Sequence, residues 1–196
     1  DYGRSRGLGD VYKRQVKAEP PTYDMHGTNS YAVMHFVAQH YSTLLTFDWN
    51  KFPKLEGDVA DSWNVSSDGL TYTFKIKKGI KFHDGTALTS KDVKATYDRL
   101  RNPPEGVISV RKALFSSISG ITTPDDNTVV FKLSSPDAFM LDGFASPFNA
   151  IYSAKDIAKD PKWHLKNING TGPYKFVAHK KGESWKAEKF ADFHHG

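Results

Sequence analysis

His83 and Asp84 are adjacent in Phe82-His83-Asp84-Gly85, and beside a serine they would form the base and orienting group of an acyl-transfer site. No Gly-x-Ser-x-Gly elbow accompanies them, and Asp84-Gly85 is a turn dipeptide in which Asp serves backbone geometry. Gly170-Thr171-Gly172 begins like a phosphate loop. It lacks the Gly-Lys-Ser/Thr ending and runs into Pro173 and a strand pattern instead of a helix, so it reads as a tight crossing of chain. Eight histidines invite a metal site, but His35 and His40 are five positions apart, a poor helical face, and His179 stands alone on a strand pattern. His194 and His195 end the histidine series, nothing resembles HExxH, and no cysteine is present to complete a zinc cluster. The expectation is therefore no catalytic residue, no metal and no cofactor.

The elements that would position these residues are legible from 58 to 100. Tyr72, Phe74 and Ile76 alternate with Thr71, Thr73, Lys75 and Lys77, the period of a half-buried strand, and Asp68-Gly69 and Asp84-Gly85 mark turns on either side. With Ile80-Lys81-Phe82 this predicts a hairpin module. Thr89 or Ser90 caps a following helix with Asp92 in its first turn and Val93, Tyr97 and Leu100 as its apolar stripe, and Asn102-Pro103-Pro104 stops it.

Elsewhere the patterns predict helices over Ser30 to Leu44 (Ser30 as cap), Val107 to Phe115, Ser135 to Leu141, and Ala154 to Ala158 capped by Ser153. Strands are predicted at Val16 to Ala18, Leu44 to Asp48 and Val59 to Val65. Two further pairs are expected, Ile118 to Thr123 with Thr128 to Leu133, and Gly172 to His179 with Glu183 to Lys189. Trp49, Trp63, Trp163 and Trp185 read as packing residues rather than stacking platforms.

The chain has 196 residues, 38% hydrophobic and 13% aromatic, enough for a core, and a net charge of +5. Arg4, Arg6, Lys13 and Arg14 against Asp1 and Asp10 account for +2 of that and leave +3. A surplus of this size, with lysines scattered over strand faces and loops, argues against a nucleic-acid surface. No run approaches the roughly eighteen apolar residues of a membrane span.

The 58–100 stretch, DVADSWNVSSDGLTYTFKIKKGIKFHDGTALTSKDVKATYDRL, resembles the bacterial extracellular solute-binding proteins of family 5, the peptide and nickel type that deliver ligands to ABC importers. Three more landmarks resemble that family in order. They are Glu19-Pro20-Pro21-Thr22-Tyr23-Asp24-Met25-His26, then Tyr41 to Asp48, and Asn169 to Phe176 followed by Lys181-Gly182-Glu183. The resemblance covers about residues 16 to 196. It implies an α/β fold of the periplasmic-binding-protein type II-like kind, a partial first lobe with an inserted α+β subdomain.

On that resemblance, residues 16–41 and 169–196 are first-lobe segments and 42–168 the inserted subdomain, while the second lobe lies outside this fragment. Residues 1–15 stand apart. Asp10-Val11-Tyr12-Lys13-Arg14-Gln15 is what GAT GTG TAT AAG AGA CAG encodes, which resembles a transposon-end sequencing adaptor, so the segment reads as an adaptor-derived tail.

The resemblance further implies a receptor without enzymatic activity, periplasmic or extracellular and lipid-anchored in its full-length form. It would act as a monomer that takes a peptide or similar small solute to ABC permease subunits. A nickel complex, an opine or an oligosaccharide is the alternative cargo, and an extracellular hydrolase the alternative class. In the family the loop entering the first long helix meets the ligand, which here is His26-Gly27-Thr28-Asn29-Ser30-Tyr31. Thr28, Asn29 and Ser30 offer donors and acceptors and Gly27 permits close approach, so Thr28, Asn29, Ser30 and Tyr31 are candidate ligand contacts. Gly106 and Val107, in the loop Pro104 to Ile108, are the second candidates, near the far end of an extended ligand.

Overall fold

The 58–100 stretch folds as its punctuation predicts. In the computed structural model, which describes residues 18–195, strands β3 (Ala60–Val65) and β4 (Thr71–Ile76) pair antiparallel with Trp63 opposite Phe74. They follow the short antiparallel pair β1 (Leu45–Phe47) and β2 (Leu55–Gly57), of which β2 had no signal in the sequence. Gly69 and Gly85 take φ of 69° and 85°, a region that side-chain-bearing residues rarely adopt, so both predicted turns use the freedom only glycine has. The second unit is looser than expected, since only Lys81 and Ala87 form a bridge. Its Ile80, Phe82 and Leu88 nevertheless enter the core.

Helix α2 (Ser90–Arg101) is capped reciprocally: the Asp92 carboxylate accepts the Thr89 N–H at 2.8 Å and Thr89 Oγ1 accepts the Lys91 N–H at 3.3 Å. The other Asp92 oxygen accepts the Ala154 N–H at 2.8 Å, at the start of α4 (Ala154–Lys159). Ser153 occupies the N-cap position there without a side-chain bond, so Asp92 performs the capping assigned to it.

Strands β5 (Ile118–Asp125) and β6 (Thr128–Leu133) complete a four-stranded antiparallel sheet in the order β3-β4-β6-β5. Under it Phe74, Tyr97, Phe115 and Phe131 surround Phe144 of α3 (Met140–Ala145), the four rings 4.8–6.2 Å from it. All five are fully buried, and each contributes about 1.5–3 kcal/mol by leaving water. A second buried cluster gathers Met25, Val33, Val37, Tyr41, Ala150 and Tyr152, with Trp185 of the hairpin β7 (Tyr174–Lys180) and β8 (Ser184–Lys189) against it.

Three helix expectations are corrected. Helix α1 spans only Tyr31–Val37, followed by a 3-10 turn to His40, because the next carbonyls are taken elsewhere: Gly172 N–H bonds His40, Ile151 N–H bonds Ser42 and Val59 N–H bonds Thr43. Residues 107–109 are irregular and 110–115 form turns instead of a helix, since the Val110 N–H is committed to the His26 carbonyl at 3.2 Å. Helix α3 starts at Met140 instead of Ser135 because the Asp137 side chain accepts the Phe139 N–H at 2.9 Å and forms a turn. The expected first strand falls at Val16 and Lys17, outside the described residues, as does the 1–15 tail; Ala18 is not in a strand.

Candidate ligand-binding face

Asp24 begins the segment that carries the first candidate loop, and it is almost wholly buried. A buried carboxylate requires a partner. Arg99, projecting from α2, meets it through Nη2 at 2.6 Å and Nη1 at 3.2 Å, while the Tyr152 hydroxyl and the His26 N–H also bond Asp24 Oδ1. Burial works to raise the Asp24 carboxyl, but these bonds and the guanidinium charge outweigh it and hold it below the usual carboxylate range. His26 stacks on Tyr152 at 4.0 Å, and His164 stacks on the other face at 3.7 Å. His26 is neutral: its Nδ1 faces the Arg99 guanidinium, which only donates, so the proton sits on Nε2 and bonds the Ala150 carbonyl at 2.9 Å. Burial drives its pKa down to about 3.

Beyond His26 a second arginine takes over. Arg111 Nη1 donates to the Met25, His26 and Thr28 carbonyls, and Nη2 donates to the Thr28 carbonyl at 3.0 Å and to Asn29 Oδ1 at 2.7 Å. Its guanidinium lies 4.4 Å over the Phe148 ring, and burial lowers its pKa to about 10. Residues 26–29 and 108–111 are thereby latched together, with a Cβ on Gly27 falling 3.4 Å from the Ile108 carbonyl oxygen. The close approach that Gly27 permits is used by this second segment of chain.

The latch sets Ile108, the last residue of the second candidate loop, against Gly27 of the first, while Gly106 faces the Lys162 side chain. Thr28 is half-buried, its Oγ1 accepting the Ser30 N–H at 3.0 Å. Ser30 is at the N-cap position of α1 with φ −72° and ψ 124°, but its side chain makes no capping bond. Asn29 is exposed; Arg111 occupies its Oδ1, which leaves its amide NH2 without a partner among the described residues. Tyr31 is 71% exposed and Ile108 68%. Gly106 is exposed with φ 72°, and Val107 is half-buried, its N–H bonded to the Pro104 carbonyl. Arg99 and Arg111 escaped sequence reasoning. The one signal for Arg111 was its place on the apolar stripe of Val107, Leu114 and Phe115, where a charge has to be paired.

The residues set aside as chemistry also have structural work. His83 donates through Nε2 to the Gly172 carbonyl at 3.0 Å and accepts the Gly170 N–H on Nδ1 at 3.4 Å. A Cβ on Gly170 would sit 1.9 Å from the His40 carbonyl oxygen, and one on Gly172 2.5 Å from the Tyr41 nitrogen. The Gly-Thr-Gly stretch is the tight crossing, pressed against the end of the first helical segment.

Residues 54–196 match the family model described as bacterial extracellular solute-binding proteins, family 5, middle region. The chain belongs to this family. A Brucella ovis protein named as an ABC transporter peptide-binding protein is 40% identical over 147 residues, covering 72% of this chain and 27% of that protein. A glutathione-binding protein of Pectobacterium atrosepticum is 37% identical, covering 75% of this chain and 28% of its own. The binding protein AgaA of A. tumefaciens R10, solved with agropinic acid, superposes with a TM-score of 0.82 at 33% identity. That match covers 90% of this chain and 35% of AgaA. The Bacillus subtilis oligopeptide-binding protein AppA, solved with a nonapeptide, gives 0.81 at 27%, covering 91% of this chain and 36% of its own. This family-5 chain thus spans about a quarter of the curated relatives it matches and has the type II periplasmic-binding fold over that part. Its relatives are named as binding proteins. Among the described residues no helix is long and apolar enough to cross a membrane.

Proposed function

We propose that this protein is the receptor of an ABC importer, capturing a short peptide outside the cytoplasm and handing it to permease subunits without chemical conversion. Thr28, Asn29, Ser30, Tyr31, Gly106 and Val107 would line the first-lobe side of the cleft. Closure of a second lobe over the solute would then stabilise the loaded state through contacts to both lobes. Family membership supports the receptor class. The observation that carries the site is the Arg111 latch, which holds the two candidate loops together and leaves the Asn29 amide and the Tyr31 ring exposed.

The division into first-lobe segments and an inserted 42–168 subdomain draws support from the two separate cores, although Ala150, Tyr152, Ile157 and Ile168 pack with the first-lobe cluster. A monomeric state and a lipid anchor belong to the same reading. The likeness to AgaA favours an opine as the second cargo class.

Half a cleft binds weakly, so the test is nuclear magnetic resonance at millimolar solute, with a pool of di- and tripeptides, glutathione and agropinic acid in separate titrations. Peptides are expected to move the amide signals of residues 28–31 and 106–107, with the effect lost in Asn29→Ala plus Tyr31→Ala. Signals that move only with agropinic acid would transfer the cargo to opines. No movement of these residues with any solute would remove the site.

A further inference from the structure

Asp58 lies between β2 and β3, far from the candidate loops in sequence, and none of its partners takes part in the Arg111 latch. Its Oδ2 is held by the Thr43 N–H at 2.8 Å. That bond aims Oδ1 at two neighbouring imidazoles, His194 Nε2 at 2.9 Å and His195 Nε2 at 3.0 Å. The segment carrying them leaves β8 through a turn closed by the Phe193 N–H on the Phe190 carbonyl, and Lys81 pairs with Asp192 at 3.0 Å to fix its approach. The three ligand atoms all lie within 4.8 Å of one another. His194 Nδ1 is buried without a partner, so Nε2 is the ring's one polar engagement, and it points into the cluster.

We infer that Asp58, His194 and His195 form a binding site for a divalent first-row transition metal ion of the zinc type. Two imidazole nitrogens and one carboxylate oxygen match the ligand preferences of such ions, whereas calcium and magnesium prefer all-oxygen sets. Zinc–ligand distances of about 2.0–2.2 Å place ligand atoms roughly 3.3–3.6 Å apart, so binding would spread Asp58 Oδ1 and the two imidazole nitrogens from their present hydrogen-bonded contact. Three protein ligands leave a fourth position open for water. On its other side His194 borders a groove of about 700 Å³ that Lys75, Lys77 and Lys78 also line. The Asp58 and His194 side chains are 14% and 7% exposed and His195 41%, so the site is dry on one side and open on the other. Lys77 caps the adjacent Gly57 carbonyl at 3.1 Å, and its charge limits affinity. Spacing hid the cluster, since 136 residues separate Asp58 from His194.

Zinc titrated into the full 196-residue chain near neutral pH, followed calorimetrically, should bind one ion per chain with micromolar affinity. His195→Ala and Asp58→Asn should each weaken it by about tenfold or more. Absence of heat, or wild-type affinity in both variants, would mean that the cluster is only a pair of hydrogen bonds pinning residues 194–195. Because Asp58→Asn also loosens Thr43 and can compromise folding, paramagnetic Co²⁺ on the unmodified chain gives an independent reading. Broadening confined to the His194 and His195 ring signals supports the site, and broadening at other histidines overturns it.

Discussion

Arg111 donates to Asn29 Oδ1 at 2.7 Å, joining two loops that lie 82 residues apart in the chain. The same guanidinium bonds the Thr28 carbonyl through both terminal nitrogens, a fork that the single ammonium of lysine cannot reproduce. Arg111→Lys should therefore accelerate amide exchange at residues 26–31, and Arg111→Ala should do so further while lowering stability by about 1–3 kcal/mol. Hydrogen exchange with urea denaturation checks this; unchanged exchange in Arg111→Ala would show that the latch holds nothing in place.

Asp24 and Arg99 form the one ion pair among the described residues in which both side chains are essentially without solvent. Removing one partner strands a charge, so Asp24→Ala or Arg99→Ala should each cost about 3–5 kcal/mol. The double variant should cost less than the two singles summed, because no lone charge remains. A chemical denaturation cycle measures it, and strict additivity would contradict the coupling.

Gly170→Ala should be far more damaging than Gly120→Ala, although both add one methyl group. The first would drive a carbon to 1.9 Å from the His40 carbonyl oxygen, whereas the second meets nothing within 4 Å. Thermal melting should fall sharply in Gly170→Ala and change little in Gly120→Ala.

Acid should destabilise the protein from about pH 6.5 downward. His26, His40 and His83 each have a ring nitrogen accepting from a group that can only donate, namely Arg99, the Trp185 indole and the Gly170 amide. Burial takes His26 down to about 3 and His40 to about 4, and it also lowers His83 and His164. The unfolded chain takes up protons near pH 6.5 that the folded chain refuses. Stability is thus complete above that value and declines as pH falls toward the folded pKa values, by up to about 1.4 kcal/mol per pH unit for each such histidine. Melting temperatures that stay level between pH 7 and 4.5 would contradict this.

Local chemistry is what the sequence by itself determined. Alternation at Tyr72, Phe74 and Ile76, the Asp-Gly turns and the Thr89–Asp92 cap depend on residues within a few positions of each other, so they could be read directly and carried the family resemblance. Tertiary structure decided whatever depended on distant partners. The shortened α1, the missing helix at 107–115 and the transfer of Ser153's capping role to Asp92 all arise because backbone groups found partners in other segments. The same reason hid Arg111, Arg99 and the Asp58 cluster. A guanidinium or carboxylate shows its charge in the sequence, but which carbonyl, carboxylate or imidazole it meets is settled only when chain far away folds against it.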